Sequence, residues 1–375
     1  MSKDPQLITS PAGSPAWLVT EYAEVKKLLS DERLSRFAHP DPDHAPRFTN
    51  SDIIGSPLHS LDMEQQRTVA IQTFIEPFFK PRQISRLELL VRAEVDRAFA
   101  AMREAGSPGD VRDLVAYSIP AAVISALIGI PPALRELARD LAHNASNILD
   151  PEIAAAARAE LDHMCLCLLE HIPSDAPAET MLTRIGRLVG ADLTDEVRRE
   201  FARMLTGVQI AGQMNATTAI ERGLIVLLTN ESARTRLAQN TALVDDAVEE
   251  ILRIAHPIYP RSSGVPRFAL ADLDIGAVTV RRGELMVLDF EQANQDPAEF
   301  GCPATFDIER RPNKHLTFGY GIHFCVGARL ARIELRSVIA RIFDEFPGLR
   351  LAAGQEWTRF SELLSGGVRS LVVEW

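Results

Sequence analysis

In the stretch HLTFGYGIHFCVGARLARIEL, residues 315–335, one cysteine sits in a run of glycines and a basic helix pattern follows it. Gly319, Gly321 and Gly327 surround Cys325. Glycine costs backbone entropy, so this density predicts a loop pressed against something flat or bulky, either a neighbouring strand or a cofactor. A thiolate that binds a metal from one side needs backbone N–H groups aimed at sulfur and a loop thin enough to let the metal approach. Glycines and a helix N-terminus supply both, because the helix dipole favours an anion there. A buried, inert cysteine in a tight turn is the plainer reading of the same residues. A second pattern lies upstream. Glu250 and Arg253 are three apart, which places them on one helix face, where they can pair.

These residues need elements to hold them. The chain has 375 residues, 46% hydrophobic and 24% charged, enough to bury a sizeable core. Apolar residues recur at helical spacing over 86–105, 152–172 and 195–229; the last is unusually long for one helix and contains Gly207, Gly212 and Gly223. Strand patterns are confined to PAWLVT near the start and to 268–291. With no linker or repeat, the expectation is one domain over 1–375, mainly α with a small β region fed from both ends. A net charge of −11 argues against a nucleic-acid partner. The apolar runs are too short to span a bilayer. MSKDPQLITSPAG has no apolar signal region, and four cysteines are too few for a disulfide scaffold, so a reduced, cytoplasmic protein is expected.

The segment FGYGIHFCVG, 318–327, resembles the haem-binding signature FGxGxHxCxG of the cytochrome P-450 superfamily at every fixed position. Haem is the cofactor for which one cysteine suffices. The resemblance implies the cytochrome P-450 fold, a triangular helical prism with a long central helix over haem b. It makes Cys325 the axial ligand of the haem iron, packs Phe318 against the haem near the sulfur, puts Gly319 and Gly327 in the cofactor-binding loop, and turns His323 to a propionate. It implies that Glu250 and Arg253 form the family's buried ExxR pair, tied to Arg310 in FDIERRPN. PRFALADLDIG is similar to the strand whose arginine reaches a propionate, which nominates Arg267; ANQDPAEF is similar to the family's ANRDP segment, with Gln295 in place of arginine. AWLVTEYAEVKKLLSDERLS is similar to the family's first strand–helix unit, so the resemblance covers nearly the whole chain.

Two departures bear on chemistry. Family members usually carry AGx(D/E)T(T/S) in the long helix, where an acid and an alcohol relay protons to dioxygen. Here the stretch reads IAGQMNATTAIERGLIVLL. With Ala211 and Gly212 as the family's Ala-Gly, Met214 takes the acid position and Asn215 the alcohol position. Shifting by two to recruit Thr217 and Thr218 would rotate the helix by about 200° and is rejected. Methionine carries no proton, and Asn215 hydrogen-bonds without readily relaying one. Either water, Gln213 and substrate groups deliver protons to an ordinary hydroxylase or epoxidase, or the enzyme cross-couples aromatic or peptide groups. A peroxide-driven enzyme would carry an arginine near Asn215, and none is there. Upstream, LDMEQQRTV places Gln65 where the family has a propionate-binding histidine and Val69 where it has an arginine; Arg67 is the nearest replacement.

The resemblance also outlines a substrate pocket, with Gln209, Gln213, Asn215, Ile258, Tyr259, Arg261, Leu364 and Arg369 on its lining segments. Their polarity suits a polar aromatic or peptidic substrate. After the cysteine, Arg329, Arg332 and Arg336 share one helix face. On an acidic protein this face would steer an acidic electron carrier. The leading expectation is thus an O2-dependent haem-thiolate oxygenase of specialised metabolism that cross-couples aromatic or peptide groups and draws electrons from NAD(P)H through ferredoxin, with hydroxylation or epoxidation through a water relay as the alternative. A non-catalytic helper with this fold is the rival from another class.

Overall fold

The computed structural model describes residues 4–49, 60–172, 179–189, 194–254, 264–363 and 365–375. The chain divides into two compact units, each built from separate stretches: Met1–Val69 with Asp245–Ala328, and Ala70–Val244 with Arg329–Trp375.

The first unit is organised on a five-stranded sheet in the order Gln6–Thr9, Pro15–Val19, Leu285–Asp289, Gly264–Ala269, Leu34–Ser35. Pro15–Val19 runs parallel to Leu285–Asp289; the other pairings are antiparallel. Leu285–Asp289 is buried at every residue, as its apolar LMVL run suits a central strand. At Gly264 a Cβ would lie 2.4 Å from Val287 Cγ1, so only glycine lets Gly264–Ala269 begin against the end of Leu285–Asp289. The helix Tyr22–Leu28 covers the sheet with Tyr22, Val25 and Leu28, spaced three apart on one stripe. The helix Val244–Arg253 brings Glu250 and Arg253 into this unit.

The second unit is mostly helical. Ile84–Ala105 ends at Gly106, whose φ of 77° stops the helix where a side chain would be strained. Pro151–Glu170 starts at Asp150, whose carboxylate accepts the N–H groups of Glu152 and Ile153. Asp195–Thr229 is a single helix of 35 residues, capped by the Thr194 hydroxyl. Gly212 lets the helix Ser118–Ile128 approach it closely; a Cβ there would sit 2.7 Å from Ile124 Cγ1. A three-stranded sheet of Gly109–Asp110, Val372–Glu374 and Arg350–Leu351 was not anticipated, because strands of two or three residues are too short to show an alternating pattern. Among the described residues no helix is long and apolar enough to cross a membrane.

Candidate functional site

Cys325 follows a three-residue turn and precedes the helix Ala328–Glu345. Its N–H donates to Phe318 O at 2.9 Å, and its own carbonyl accepts the N–H of Ala328 at 3.3 Å. The residue is exposed and makes no disulfide. Gly319 and Gly321 have φ of 72° and 74°, conformations that suit glycine. At Gly321 a Cβ would meet Ser30 Oγ at 2.5 Å; at Gly327 it would stand 3.9 Å from the Cys325 sulfur. Phe318 is buried behind the loop, whereas Phe324, Ile322 and Tyr320 are exposed around the thiol.

The loop is held by a closed charge network. Both Glu250 and Arg253 are fully buried, and Arg253 grips the carboxylate with two nitrogens at 2.7 and 2.8 Å. Arg310 Nε lies 3.1 Å from both Glu250 oxygens, and Asn313 Nδ2 donates to one of them at 3.1 Å. The remaining Arg253 nitrogen donates to Asn294 O at 2.8 Å. Asn294 in turn accepts the N–H of Leu316 and donates to the Thr317 hydroxyl, at the start of the cysteine loop. The pair sets the loop's position through Asn294, a residue the sequence reading did not single out.

A second charge cluster lies in the same unit and is left open. Arg267, on the strand Gly264–Ala269, is buried, and among the described residues its side chain donates only to Pro266 O, at 2.8 Å. Burial, and then the neighbouring Arg36, push its guanidinium down to about 9. Arg36 is likewise lowered by burial, with Glu64 and Cys325 opposing the shift. Burial also pushes His323 down to about 4; Arg36 and Arg267 act in the same direction, against Glu64, whose Oε1 lies 4.0 Å from the ring. The one acid here among the described residues, Glu64, is already committed. It accepts the Ser35 hydroxyl and the N–H groups of Arg36, Phe37 and Ala38. Burial alone would raise this carboxyl, but those donors outweigh it and hold it below the ordinary range.

The two positions flagged next to Glu64 behave differently from it. Gln65 and Arg67 are exposed; the Arg67 guanidinium lies 5.8 Å from the Phe37 ring centre, and Val69 is also exposed. Glu64 and Arg36 escaped the sequence reading. A polar segment such as MEQQR carries no mark of which side chain turns inward.

On the long helix an open stripe runs through Gly207, Val208, Ala211, Asn215 and Ala219, bounded by Gly212 where Ile124 packs, and Asn215 is its one polar side chain. Met214 is buried beside it. Thr217 and Thr218 are buried as well, and the Thr218 hydroxyl bonds back to Met214 O and to Ser365 O. Gln209 and Gln213 take the opposite face. Gln209 donates to Gln213 Oε1 at 3.1 Å and accepts from the Ser125 hydroxyl, while Gln213 donates to Arg139 O at 3.0 Å. The expectation that both glutamines line a pocket is therefore corrected: neighbouring helices offer them partners that an open face does not. Arg369 is likewise paired, with Glu362, and stacks 4.7 Å over Phe360. Ile258, Tyr259, Arg261 and Leu364 lie outside the described residues. Beyond the cysteine, Arg336 is exposed while Arg329 and Arg332 are half-buried.

One buried guanidinium, Arg267, and one half-buried one, Arg36, with one pre-occupied carboxylate form a site that fits a dianionic group. Beside it stands an exposed sulfur at a helix start. Haem b, with two propionates and an iron that takes a thiolate, fits this donor set.

Comparison with known proteins agrees. A model of the family described as Cytochrome P450 matches residues 199–365. Cytochrome P450 BJ-1 homolog from Sinorhizobium fredii is 30% identical over 97% of this chain and 91% of that protein. Mycinamicin IV hydroxylase/epoxidase from Micromonospora griseorubida is 29% identical over 98% and 91%. The crystal structure of substrate-free PimD, an epoxidase of the polyene macrolide antibiotic pimaricin, superposes with a TM-score of 0.83 at 30% identity, covering 99% of this chain and 92% of that one.

Proposed function

The chain belongs to the cytochrome P450 family and is a monooxygenase, and from that premise we propose that Cys325 is the axial thiolate and that the substrate is a specialised metabolite, hydroxylated or epoxidised by one oxygen atom of O2. The observation that carries this reading is the exposed Cys325 thiol beside buried, uncompensated positive charge at Arg267. Arg267 and His323 would hold the propionates of bound haem. Bound haem supplies the centre at which dioxygen is reduced. The protein's own part is to keep the thiolate fixed, through the Glu250–Arg253–Asn294–Thr317 chain, and to present an open helix stripe to the substrate. Asn215 holds water on that stripe and so stands in for the missing acid and alcohol.

Relatives named as a mycinamicin hydroxylase/epoxidase and a pimaricin epoxidase support oxygen insertion and a role in antibiotic tailoring. Oxidative cross-coupling of aromatic or peptide groups is the second reading, favoured by the absence of a proton-carrying side chain on the stripe. The polar lining that first argued for it is weakened by the inward commitment of Gln209 and Gln213. Electrons come from NAD(P)H through a ferredoxin that docks at Arg336, with Arg329 and Arg332 behind it on the same helix face.

Turnover of a panel of macrolides and aromatic dipeptides, with a surrogate ferredoxin and reductase under isotopically labelled dioxygen, separates the two readings. A product carrying one labelled oxygen supports insertion. A product that has lost two hydrogens and gained no label supports coupling and overturns the first reading.

A further inference from the structure

Arg36 is the least explained charge in the first unit. It follows directly on the edge strand Leu34–Ser35, which pairs with Gly264–Ala269 in the register Leu34 to Ala269 and Ser35 to Phe268. One step further along that antiparallel register, Arg36 comes opposite Arg267. Like charges facing each other across a ladder destabilise it. Glu64 opposes the clash only in part, from beyond ion-pair distance. Among the described residues neither guanidinium has an ion pair within 4.0 Å, and Arg36 makes only a contact with the Phe37 ring, 5.2 Å from its centre. Glu64 is near, but its oxygens serve Ser35 and three consecutive backbone N–H groups. That arrangement pins the segment 35–38 and so aims Arg36, instead of neutralising it. The acid thus works as a clamp that holds the guanidinium against its like-charged neighbour.

We propose that Arg36 is a cofactor-anchoring residue, a third propionate contact beside Arg267 and His323 that replaces the anchors missing at Gln65 and Val69. The proposal rests on the haem reading above. It explains why two guanidiniums are kept side by side: a bound carboxylate turns their mutual repulsion into two charge-assisted hydrogen bonds, each stronger than a neutral one. It also accounts for the loss of the usual anchors on the helix Leu61–Ala70, whose remaining buried charge, Glu64, now acts on the segment carrying Arg36.

The test measures haem loss from the reconstituted holoprotein to excess apomyoglobin, in wild type, Arg36→Gln and Arg36→Lys. Arg36→Gln should lose haem about tenfold faster, the scale of one charge-assisted hydrogen bond, and Arg36→Lys should lie between. The thermal midpoint of apo Arg36→Gln should equal or exceed that of the wild-type apoprotein, because a repulsive charge has gone. With haem dimethyl ester, whose propionates are neutral, wild type and Arg36→Gln should release the cofactor at the same rate. Equal rates with ordinary haem overturn the proposal. So does a difference that persists with the ester, which would make Arg36 a packing residue, or a lowered apo midpoint, which would make it a folding residue. If the wild type takes up no haem at all, the reading under Proposed function fails first and takes this one with it.

Discussion

Two buried charge clusters stand in the same unit and are balanced in opposite ways. Around Glu250 every charged group is answered by protein: Arg253 and Arg310 hold the carboxylate, the Asn313 amide and the Asp307 N–H complete it, and the spare nitrogens reach backbone carbonyls, although Asn313 Oδ1 has no partner among the described residues. Around Arg267 the positive groups outnumber the negative one, and that one faces backbone donors. A closed cluster contributes shape whether or not a ligand is present. An open cluster holds repulsion that only a further anion relieves. The difference tells a structural network from a binding site without reference to any motif.

The contrast can be tested, beginning where the effect should be largest. Glu250→Ala leaves two guanidiniums buried without a counter-charge and should cost about 3–5 kcal/mol, equally in apo and holo protein, by denaturant unfolding. An effect confined to the holoprotein would place Glu250 with the open cluster. Glu334 is another buried carboxyl; it has neither arrangement, and its Oε1 has no hydrogen-bond partner among the described residues. Burial pushes it up to about 8. The folded state then keeps its proton when the unfolded chain has lost it, so stability declines as pH rises from the ordinary carboxyl range and levels off above about 8. Glu334→Gln should match wild type near the acid end and exceed it by about 2–4 kcal/mol above pH 8. Parallel stability curves for the two proteins would show that Glu334 is compensated after all.

Smaller effects separate residues that clamp from residues that bind. Glu64→Gln weakens the hold on Ser35 and on three N–H groups and should cost about 1.5–3 kcal/mol in the apoprotein. Because this carboxyl is held low, its contribution is present above the ordinary carboxyl range and fades as pH falls through the folded value; the variant should flatten that acid limb. On the long helix, Gln213→Ala should cost about 1–3 kcal/mol by leaving the Gln209 amide and Arg139 O unanswered, with turnover retained. Asn215→Ala should do the reverse, lowering turnover per electron consumed while the unfolding midpoint holds. An exchange of these two outcomes would put the working face of the helix on the glutamine side.

What could be read in advance follows from the range of the interactions. Glu250 and Arg253 meet because a spacing of three on a helix makes one face, and the long helix shows in the helical spacing of its apolar residues over 195–229. The glycines around Cys325 announce a tight loop through their own backbone freedom. The inward turn of Glu64, the pairing of Gln209 with Gln213 and the juxtaposition of Arg36 with Arg267 depend on partners far away in sequence. Local composition carries no trace of them. The two-residue strand that delivers Arg36 is too short for any periodic signal.

The central claim is that the open cluster and Cys325 together hold haem through a thiolate. The direct test is to titrate the apoprotein with haem, reduce it with dithionite and record the carbon monoxide difference spectrum. The account predicts one haem per chain and a Soret band at the long wavelength that gives the family its name. A band at the shorter wavelength typical of nitrogen-ligated haem, or no uptake, would contradict it.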